Sequence, residues 1–323
     1  DGGGGEDVSS DQVADDGSAG DTTPDVPDDT DTAGEVLPDP VDAVEDPVPD
    51  TLDPVPDTED ADTDPAEDIP AEEATIGPPG TFHKSQMVDG FSRAYVLHVA
   101  DSAVAAMGAG PVPLLIGLHG AGDTGENFIF ATRLTNTAEA NNFVIAGPDG
   151  INRGWFIQAE EGWPGTDGNS SSLQNDIDFM KRIIEVTGAT YYIDTNRLYV
   201  VGHSRGAGMT GLIAFMSGQV TTSTGLFESP FAAYGVNAGY DATGGRTNLA
   251  AATPKRPIWV IHGDADSVVP FSYGQSFATA LETAGWDVTW TAVSGGTHTW
   301  LWQTGYGTSN QDLWDWFAEN AIP

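Results

Sequence analysis

The most informative segment of the sequence is Arg197-Leu198-Tyr199-Val200-Val201-Gly202-His203-Ser204-Arg205-Gly206-Ala207-Gly208-Met209-Thr210. It begins as an apolar, β-branched run, which is typical of a buried strand, and it continues with small residues that suit the start of a helix. The Gly-x-Ser-x-Gly pattern between these halves is typical of a sharp turn that exposes a serine at the end of a sheet. We therefore predict that Ser204 is a nucleophile.

The glycines and the helix start each have a task in such a turn. Gly202 and Gly206 leave space where the strand and the helix pass close together. The first backbone N–H groups of a helix have no helical acceptor, so we expect that of Arg205 to stabilise an oxyanion. The side chain of Arg205 opposes the helix dipole, and two alternatives remain open for it: it extends into solvent, or it faces the substrate.

An activated serine requires a base and a group that orients the base. After Ser204 the sequence offers Asp264 and Asp266 behind one predicted strand, and His298 behind the next. The order serine, acid, histidine is that of α/β-hydrolases. We predict that Asp266 and His298 complete the catalytic set, with Asp264 as the rival acid, because the position of Asp264 suits the capping of a turn.

The second oxyanion donor is expected behind the first long predicted strand, where the sequence reads His119-Gly120-Ala121-Gly122. We assign it to the backbone N–H of Ala121, because the flanking glycines let the main chain come close to a substrate. Histidines beside the motifs and tryptophans in predicted loops are candidate substrate contacts: His119, His203, Trp155, Trp163, Trp300 and Trp302. Such tryptophans would form an aromatic floor for a ring, a sugar or a polyester segment.

Residues 1–80 differ sharply in composition from the rest of the chain. They contain 27 of the 49 acidic residues and 12 of the 21 prolines, but no Lys, Arg, His or aromatic residue. Such a segment cannot bury enough apolar surface to offset its ordering entropy. We therefore predict a disordered acidic linker at 1–80 and a catalytic domain at 81–323. The formal net charge of −38 makes the chain a poor nucleic-acid binder.

Composition also limits the cofactors and the location. The chain has no cysteine, which excludes disulfides and thiolate metal sites, and the predicted chemistry requires no metal or cofactor. No apolar run of transmembrane length is present in the sequence. The sequence starts at Asp1 and continues with four glycines, so we expect a secreted chain whose export signal has been removed, or one that the acidic linker tethers to a cell surface.

Predicted strands and helices alternate after residue 90. Apolar or alternating runs predict strands at 95–99, 112–118, 143–146, 197–201, 232–236, 258–261 and 288–293, and helical spacing predicts helices at 127–140, 173–184, 275–284 and 311–320. This alternation predicts an α/β fold with a mainly parallel central sheet, helices on both faces and a site at the carboxyl ends of the strands.

Seven segments resemble the polyhydroxybutyrate depolymerase and feruloyl esterase group of α/β-hydrolases. In chain order they are Leu118-His119-Gly120, Pro148-Asp149-Gly150, Asp176-Ile177-Asp178-Phe179, residues 192–200, the segment around Ser204, His262-Gly263-Asp264-Ala265-Asp266-Ser267-Val268-Val269-Pro270, and Gly296-Thr297-His298-Thr299-Trp300. The resemblance spans about residues 90–320. It implies an α/β-hydrolase fold and a secreted serine esterase with Ser204 as nucleophile, Asp266 as acid and His298 as base.

The resemblance also implies polymeric ester substrates. We rank hydroxycinnamoyl (feruloyl-type) or related esters on plant polysaccharide first and a polyester depolymerase second, because the motifs do not separate the two. Many relatives have Cys where this chain has Ala121 and Gly where it has Ala207, and both positions support the acyl pocket. A serine peptidase and a binding module on an inactive hydrolase scaffold are further alternatives.

Overall fold

The computed structural model describes residues 76–156, 173–222, 225–242, 248–303 and 305–323. The predicted linker at 1–80 therefore lies almost wholly outside the described residues, and so does Trp163. At the start of the described part, the Gly77 N–H donates to the Thr190 carbonyl (3.1 Å) and the Tyr191 hydroxyl donates to the Pro78 carbonyl (2.9 Å). These bonds attach the first described residues to the folded unit.

The described residues contain ten strands, seven α-helices and one 3₁₀ helix. The strands are β1 (Gly80–Val88), β2 (Phe91–Val99), β3 (Val112–Leu118), β4 (Val144–Pro148), β5 (Ile193–His203), β6 (Thr221–Thr222), β7 (Gly225–Leu226), β8 (Ala233–Asn237), β9 (Ile258–Gly263) and β10 (Val288–Val293). The α-helices are α1 (Asp101–Met107), α2 (Gly125–Ala131), α3 (Leu134–Asn141), α4 (Leu173–Gly188), α5 (Arg205–Phe215), α6 (Phe271–Thr283) and α7 (Asn310–Glu319), and the 3₁₀ helix is Ile151–Arg153.

Eight of these strands form one sheet in the order β1-β2-β4-β3-β5-β8-β9-β10, and β6 and β7 form a small hairpin. The pairs β1–β2 and β2–β4 are antiparallel, whereas every pair from β4 to β10 is parallel. Helices flank the sheet: α5 contacts β3, β5 and β8, and α6 contacts β9 and β10. The predicted α/β class with a mainly parallel sheet is confirmed.

The central strands are apolar because both faces of the sheet are covered. β3, β4, β8 and β9 are buried along their whole length, as continuous apolar runs predict. The pairing of β3 with β5 changes register between Val112 and Leu114. Pro113 lies at that point, and it has no N–H to donate to a ladder.

The predicted single helix at 127–140 is wrong, because the structure has two helices there. The chain leaves helical geometry at Arg133, whose φ is 60°. The Thr132 hydroxyl donates to the Phe128 carbonyl (2.7 Å), and the Thr132 carbonyl accepts a hydrogen bond from the Asn310 side chain (2.7 Å). A tertiary contact with α7 thus replaces the helical bond at this carbonyl.

The sequence analysis does not predict β1 or α1. β1 is an edge strand whose residues alternate between partly buried and exposed, so it carries few of the large apolar residues that mark a strand. α1 is only seven residues long, and its N-cap residue, Ala100, offers no side-chain acceptor. β1 is held by β2, which follows it directly, and by contacts with α4, and α1 is too short to show a periodic pattern, so neither element has a strong signal in the sequence.

The parallel strands all end at the same edge of the sheet. The loops that follow β3, β5, β8, β9 and β10 therefore meet there, and they carry the residues considered next. Among the described residues, the structure has no helix that combines the length and the hydropathy of a membrane span.

Candidate active site

Ser204 occupies the turn between β5 and α5. Its backbone has φ 55° and ψ −118°, a conformation that is unusual for a residue with a side chain. A Cβ at Gly202 would collide with the backbone of Gly206, and a Cβ at Gly206 would collide with the Leu118 carbonyl at the end of β3. The two glycines therefore permit the close approach that the strained turn requires.

Three side chains from separate loops form one hydrogen-bonded chain. His298 Nε2 lies 2.9 Å from Ser204 Oγ, and His298 Nδ1 lies 2.8 Å from Asp266 Oδ2. Ser204 follows β5, Asp266 follows β9 and His298 follows β10. The structure thus brings together the three residues predicted from the sequence, in the geometry of a nucleophile, a base and an orienting acid.

The Asp266 carboxylate is held in its ionised form. Burial by itself would raise the pKa of Asp266, but hydrogen bonds from His298 and from the backbone N–H groups of Val268 and Val269 (both 2.9 Å) outweigh burial and lower it. A second histidine, His262, also faces this carboxylate: its Nε2 lies 3.3 Å from Oδ2 and donates to the Val269 carbonyl (3.0 Å). The carboxylate is therefore fixed from several directions.

The rival acid, Asp264, lies elsewhere. One oxygen of its carboxylate accepts a hydrogen bond from the Gly295 N–H (2.7 Å), and its own N–H donates to the Val293 carbonyl (3.0 Å). Asp264 therefore joins the loops behind β9 and β10, and Asp266 is the acid bonded to His298.

The loop behind β3 passes beside the nucleophile. A Cβ at Gly120 would lie 3.6 Å from Ser204 Cβ, within ordinary contact. The Gly122 N–H donates to the Arg153 carbonyl (2.8 Å), which fixes the loop, whereas the Ala121 N–H has no acceptor among the described residues. The predicted oxyanion donors, Ala121 and Arg205, thus both belong to segments that adjoin Ser204.

His119 and Trp155 are buried in the fold and bonded to the main chain, whereas we expected them to contact a substrate. Both side chains are fully buried. His119 Nδ1 donates to the Gly120 carbonyl (2.7 Å), its Nε2 accepts from the Gly150 N–H (3.0 Å), and the indole N–H of Trp155 donates to the His119 carbonyl (2.9 Å). The two rings therefore support the loop that follows β3, and their polar atoms are all used in hydrogen bonds within the protein.

Trp300 and Trp302 are also core residues rather than an aromatic floor. Trp300 is 6% exposed, its N–H donates to the Asn310 side chain (2.7 Å), and its ring packs against Phe128. Trp302 is fully buried beside it. Among the tryptophans predicted to contact substrate, Trp163 remains, and it lies outside the described residues.

The Arg205 side chain does not extend into solvent. It is 8% exposed, its Nε donates to the Trp155 carbonyl (2.9 Å), and its guanidinium packs against Gly154. The solvent-exposed alternative is therefore wrong, and the side chain connects the start of α5 to the loop behind β4.

His203 and Asn237 form a second polar pair beside His298. The Asn237 side chain lies 2.7 Å from His203 Nδ1, and the His203 ring lies 4.8 Å from the His298 ring, centroid to centroid. The sequence analysis missed Asn237. Its place at the carboxyl end of a predicted strand, next to the strand that carries Ser204, is the signal by which it could have been found.

The sequence analysis also missed a buried ion pair at the loop behind β4. Arg93 Nη2 donates to Asp176 Oδ1 (2.7 Å) and to the Asp149 carbonyl (3.3 Å), and a second guanidinium nitrogen donates to the Asn175 side chain. The other oxygen of Asp176 accepts the Phe156 N–H (2.8 Å). These bonds fix the backbone that in turn carries Arg153 and Trp155.

Comparisons with known proteins agree with this architecture. The sequence model of the phospholipase/carboxylesterase family matches residues 100–304. The putative esterase NocK of Nocardia uniformis subsp. tsuyamanensis is 29% identical over 219 residues, which are 65% of this chain and 56% of that protein. This chain therefore spans about half the length of that relative.

Solved esterase structures share the fold. A thermostable esterase has a TM-score of 0.54 at 19% identity, over 75% of this chain and 63% of its own. Esterase PE8 has a TM-score of 0.51 at 20% identity, over 68% of this chain and 96% of its own. The butyrate-bound esterase 2 of the planctomycete Thermogutta terrifontis has a TM-score of 0.51 at 15% identity, over 75% of this chain and 91% of its own.

The family match covers well over half of the chain and includes the loops that carry Ser204 and Asp266 as well as His298. The overall fold is the one shared with the solved esterases. The chain therefore belongs to the phospholipase/carboxylesterase family of α/β-hydrolases.

Proposed function

We propose that the chain is a carboxylic ester hydrolase in which Ser204, His298 and Asp266 cleave the ester through an acyl-enzyme intermediate. The observation that carries the proposal is the continuous hydrogen-bonded chain from Ser204 Oγ through both nitrogens of His298 to Asp266 Oδ2. Such a chain lets one imidazole accept the proton of the hydroxyl while the carboxylate fixes its tautomer.

The proposed reaction has two halves, the acylation of Ser204 and the hydrolysis of the acyl-enzyme. Ser204 Oγ attacks the ester carbonyl carbon and its proton passes to His298 Nε2. The negative charge on the former carbonyl oxygen is stabilised by the backbone N–H groups of Ala121 and Arg205, each worth roughly 3 kcal/mol. The tetrahedral intermediate then releases the alcohol, which takes the proton from His298, and a water molecule repeats the sequence on the acyl-enzyme.

For the substrate, we propose hydroxycinnamoyl or related esters on a polysaccharide. This choice is supported by the resemblance of the segments around Ser204, Asp266 and His298 to feruloyl esterases. Polyester depolymerases belong to the same group of α/β-hydrolases. Aromatic contacts no longer support it, since Trp155 and Trp300 are buried. A polymeric substrate implies that the enzyme works outside the cell, and activity in the culture medium rather than in the cell pellet would support that location.

Hydrolysis rates on three esters test the function and the substrate together. We expect purified enzyme to hydrolyse methyl ferulate faster than a short p-nitrophenyl ester, and Ser204→Ala to lower kcat by about 10⁴-fold or more on both, because the nucleophile is lost. A polyester film is the third substrate. Monomer release from the film with weak ferulate turnover would replace the proposed substrate by a polyester, and serine-independent turnover would contradict the proposed mechanism.

A further inference from the structure

Asn237, the last residue of β8, connects the nucleophile to the loop that carries the base. Its backbone carbonyl accepts the Ser204 N–H (3.0 Å). Its side chain bonds the other loop, because Nδ2 donates to the Thr299 carbonyl (2.8 Å) and Oδ1 accepts the Leu301 N–H (2.9 Å). The residue is fully buried. One residue thus bonds both sides of the Ser204–His298 pair.

These two partners leave the Asn237 amide a single orientation. The Thr299 carbonyl can only accept and the Leu301 N–H can only donate, so Nδ2 and Oδ1 cannot be exchanged. The group that faces His203 Nδ1 at 2.7 Å is therefore the donor Nδ2. Nδ1 must keep its lone pair to accept this bond, and the proton of the His203 ring consequently resides on Nε2.

The protonation of His203 matters because the ring lies against the base. The His203 and His298 ring centroids are 4.8 Å apart. His298 gains a positive charge when it takes the proton of Ser204, and a positive neighbour at this distance would oppose that step. An uncharged His203 leaves the step unopposed.

The surroundings of His203 shift its pKa in both directions. Burial is the largest influence and lowers the pKa of His203, and the neighbouring His298 lowers it further. Asp266, the backbone of Asn237 and Asp123 act in the opposite direction and do not compensate, so that the pKa is about 4. The ring is therefore neutral at neutral pH, in agreement with its hydrogen bond from Asn237.

We propose that Asn237 and His203 are positioning residues for the base: Asn237 sets the separation of Ser204 and His298 and holds His203 uncharged against His298. The inference rests on the proposed roles of Ser204 and His298. It replaces our expectation that His203 contacts the substrate. Neither residue takes part in bond making, so their effect is on kcat and on its pH dependence.

Nuclear magnetic resonance tests the protonation of His203 without any substrate. The chain has six histidines, few enough to assign in ¹⁵N-histidine-labelled protein by single substitutions. We expect long-range ¹H–¹⁵N spectra to show His203 as the Nε2–H tautomer throughout pH 5 to 8. In Asn237→Asp the carboxylate accepts a hydrogen bond from Nδ1, so the ring should become doubly protonated near pH 6. An Nδ1–H tautomer, or titration of wild-type His203 above pH 6, would overturn the proposal.

Kinetics of two Asn237 variants test the effect on the base. We expect Asn237→Asp to lower kcat for a p-nitrophenyl ester by about 100-fold, with KM changed by less than about threefold, since the loss is one of alignment. Its pH profile should gain a second ionisation, because the rate recovers as His203 loses its added proton. Asn237→Ala is the control without added charge: it loses the side-chain bonds to Thr299, Leu301 and His203, and its profile should keep the wild-type shape. Identical profiles for the two variants, or wild-type kcat in both, would contradict the proposal.

Two further results distinguish a failure of this inference from a failure of the proposed function. Wild-type protein without serine-dependent turnover would refute the proposed function, while the spectra would still decide the state of His203. Should an Asn237 variant fail to fold, as judged by circular dichroism, His203→Gln and His203→Arg make the same comparison, because a guanidinium stays protonated even when it is buried. We then expect the Arg variant to have a kcat at least about tenfold below that of the Gln variant, and equal values would overturn the proposal.

Discussion

At the scale of single residues, two carboxylates two positions apart have different tasks. Asp266 bonds His298 Nδ1 and two backbone N–H groups, whereas Asp264 bonds the Gly295 N–H and joins two loops. The difference arises from backbone direction alone, since both residues follow β9 in the same loop. Of the two, Asp266 is the carboxylate placed to fix the tautomer of His298, the proposed base.

Matched substitutions distinguish the two carboxylates. Asp266→Asn should lower kcat by about 10⁴-fold with little change in fold, because an amide in this place favours the wrong tautomer of His298. Asp264→Asn should keep kcat within about threefold of wild type, since an amide oxygen can still accept the Gly295 N–H. Initial rates on a p-nitrophenyl ester measure both. A larger loss in Asp264→Asn than in Asp266→Asn would reverse the assignment of the acid.

At the scale of elements, a buried ion pair positions the loop behind β4. Arg93 on β2 and Asp176 on α4 are both almost completely buried, and Asp176 also accepts the Phe156 N–H. The guanidinium lies 4.4 Å from the centre of the Phe179 ring. This loop carries the Arg153 carbonyl that accepts the Gly122 N–H, so the ion pair indirectly supports the loop that contains Ala121.

Breaking the ion pair should cost stability and activity together. Asp176→Ala leaves Arg93 buried without its carboxylate, and we expect the free energy of unfolding to fall by about 3 kcal/mol, with a lower kcat because the loop loses its anchor. Glu185→Ala on the same helix is the control: its ion pair with Arg182 is exposed and should contribute less than about 1 kcal/mol. Urea unfolding measures both. Equal losses of unfolding free energy in the two variants would show that burial does not determine how much an ion pair contributes to stability.

At the scale of the whole molecule, partly or fully buried histidines with a lowered pKa make stability depend on pH. Burial is the main cause that lowers the pKa of four of them: His98, His119, His203 and His262. In the unfolded chain these groups bind protons near pH 6.5, whereas in the folded protein they bind them only at lower pH. The unfolded state therefore binds more protons below pH 6.5, and acid favours unfolding.

We expect the free energy of unfolding to decrease between pH 7 and pH 5, by up to about 1.4 kcal/mol per pH unit for each such histidine. Asp266 does not contribute in this window, because its pKa is lowered and it stays ionised. Urea titrations at constant ionic strength measure the change. His203→Gln should reduce the slope, whereas His83→Gln, at an exposed position, should not. Equal or greater stability at pH 5 would contradict this account.

The local sequence determined the fold class, the turn at Ser204 and the order of the three catalytic candidates. These features follow from short-range causes: apolar runs define buried strands, helical spacing defines α4, and Gly202 and Gly206 permit one strained turn. Because parallel strands end at one edge of a sheet, the order of Asp266 and His298 after Ser204 was enough to predict that the three would meet.

Tertiary structure alone decided which polar group bonds which. The sequence could not show that Trp155 and Trp300 are buried, that Asn237 orients His203, or that Arg93 pairs with Asp176, since these contacts join residues far apart in the chain. A tryptophan in a loop has the same local pattern whether it faces solvent or the core. The physical reason is that hydrogen bonds and burial depend on how separate loops converge, and this convergence is a property of the packed sheet and helices rather than of any one segment.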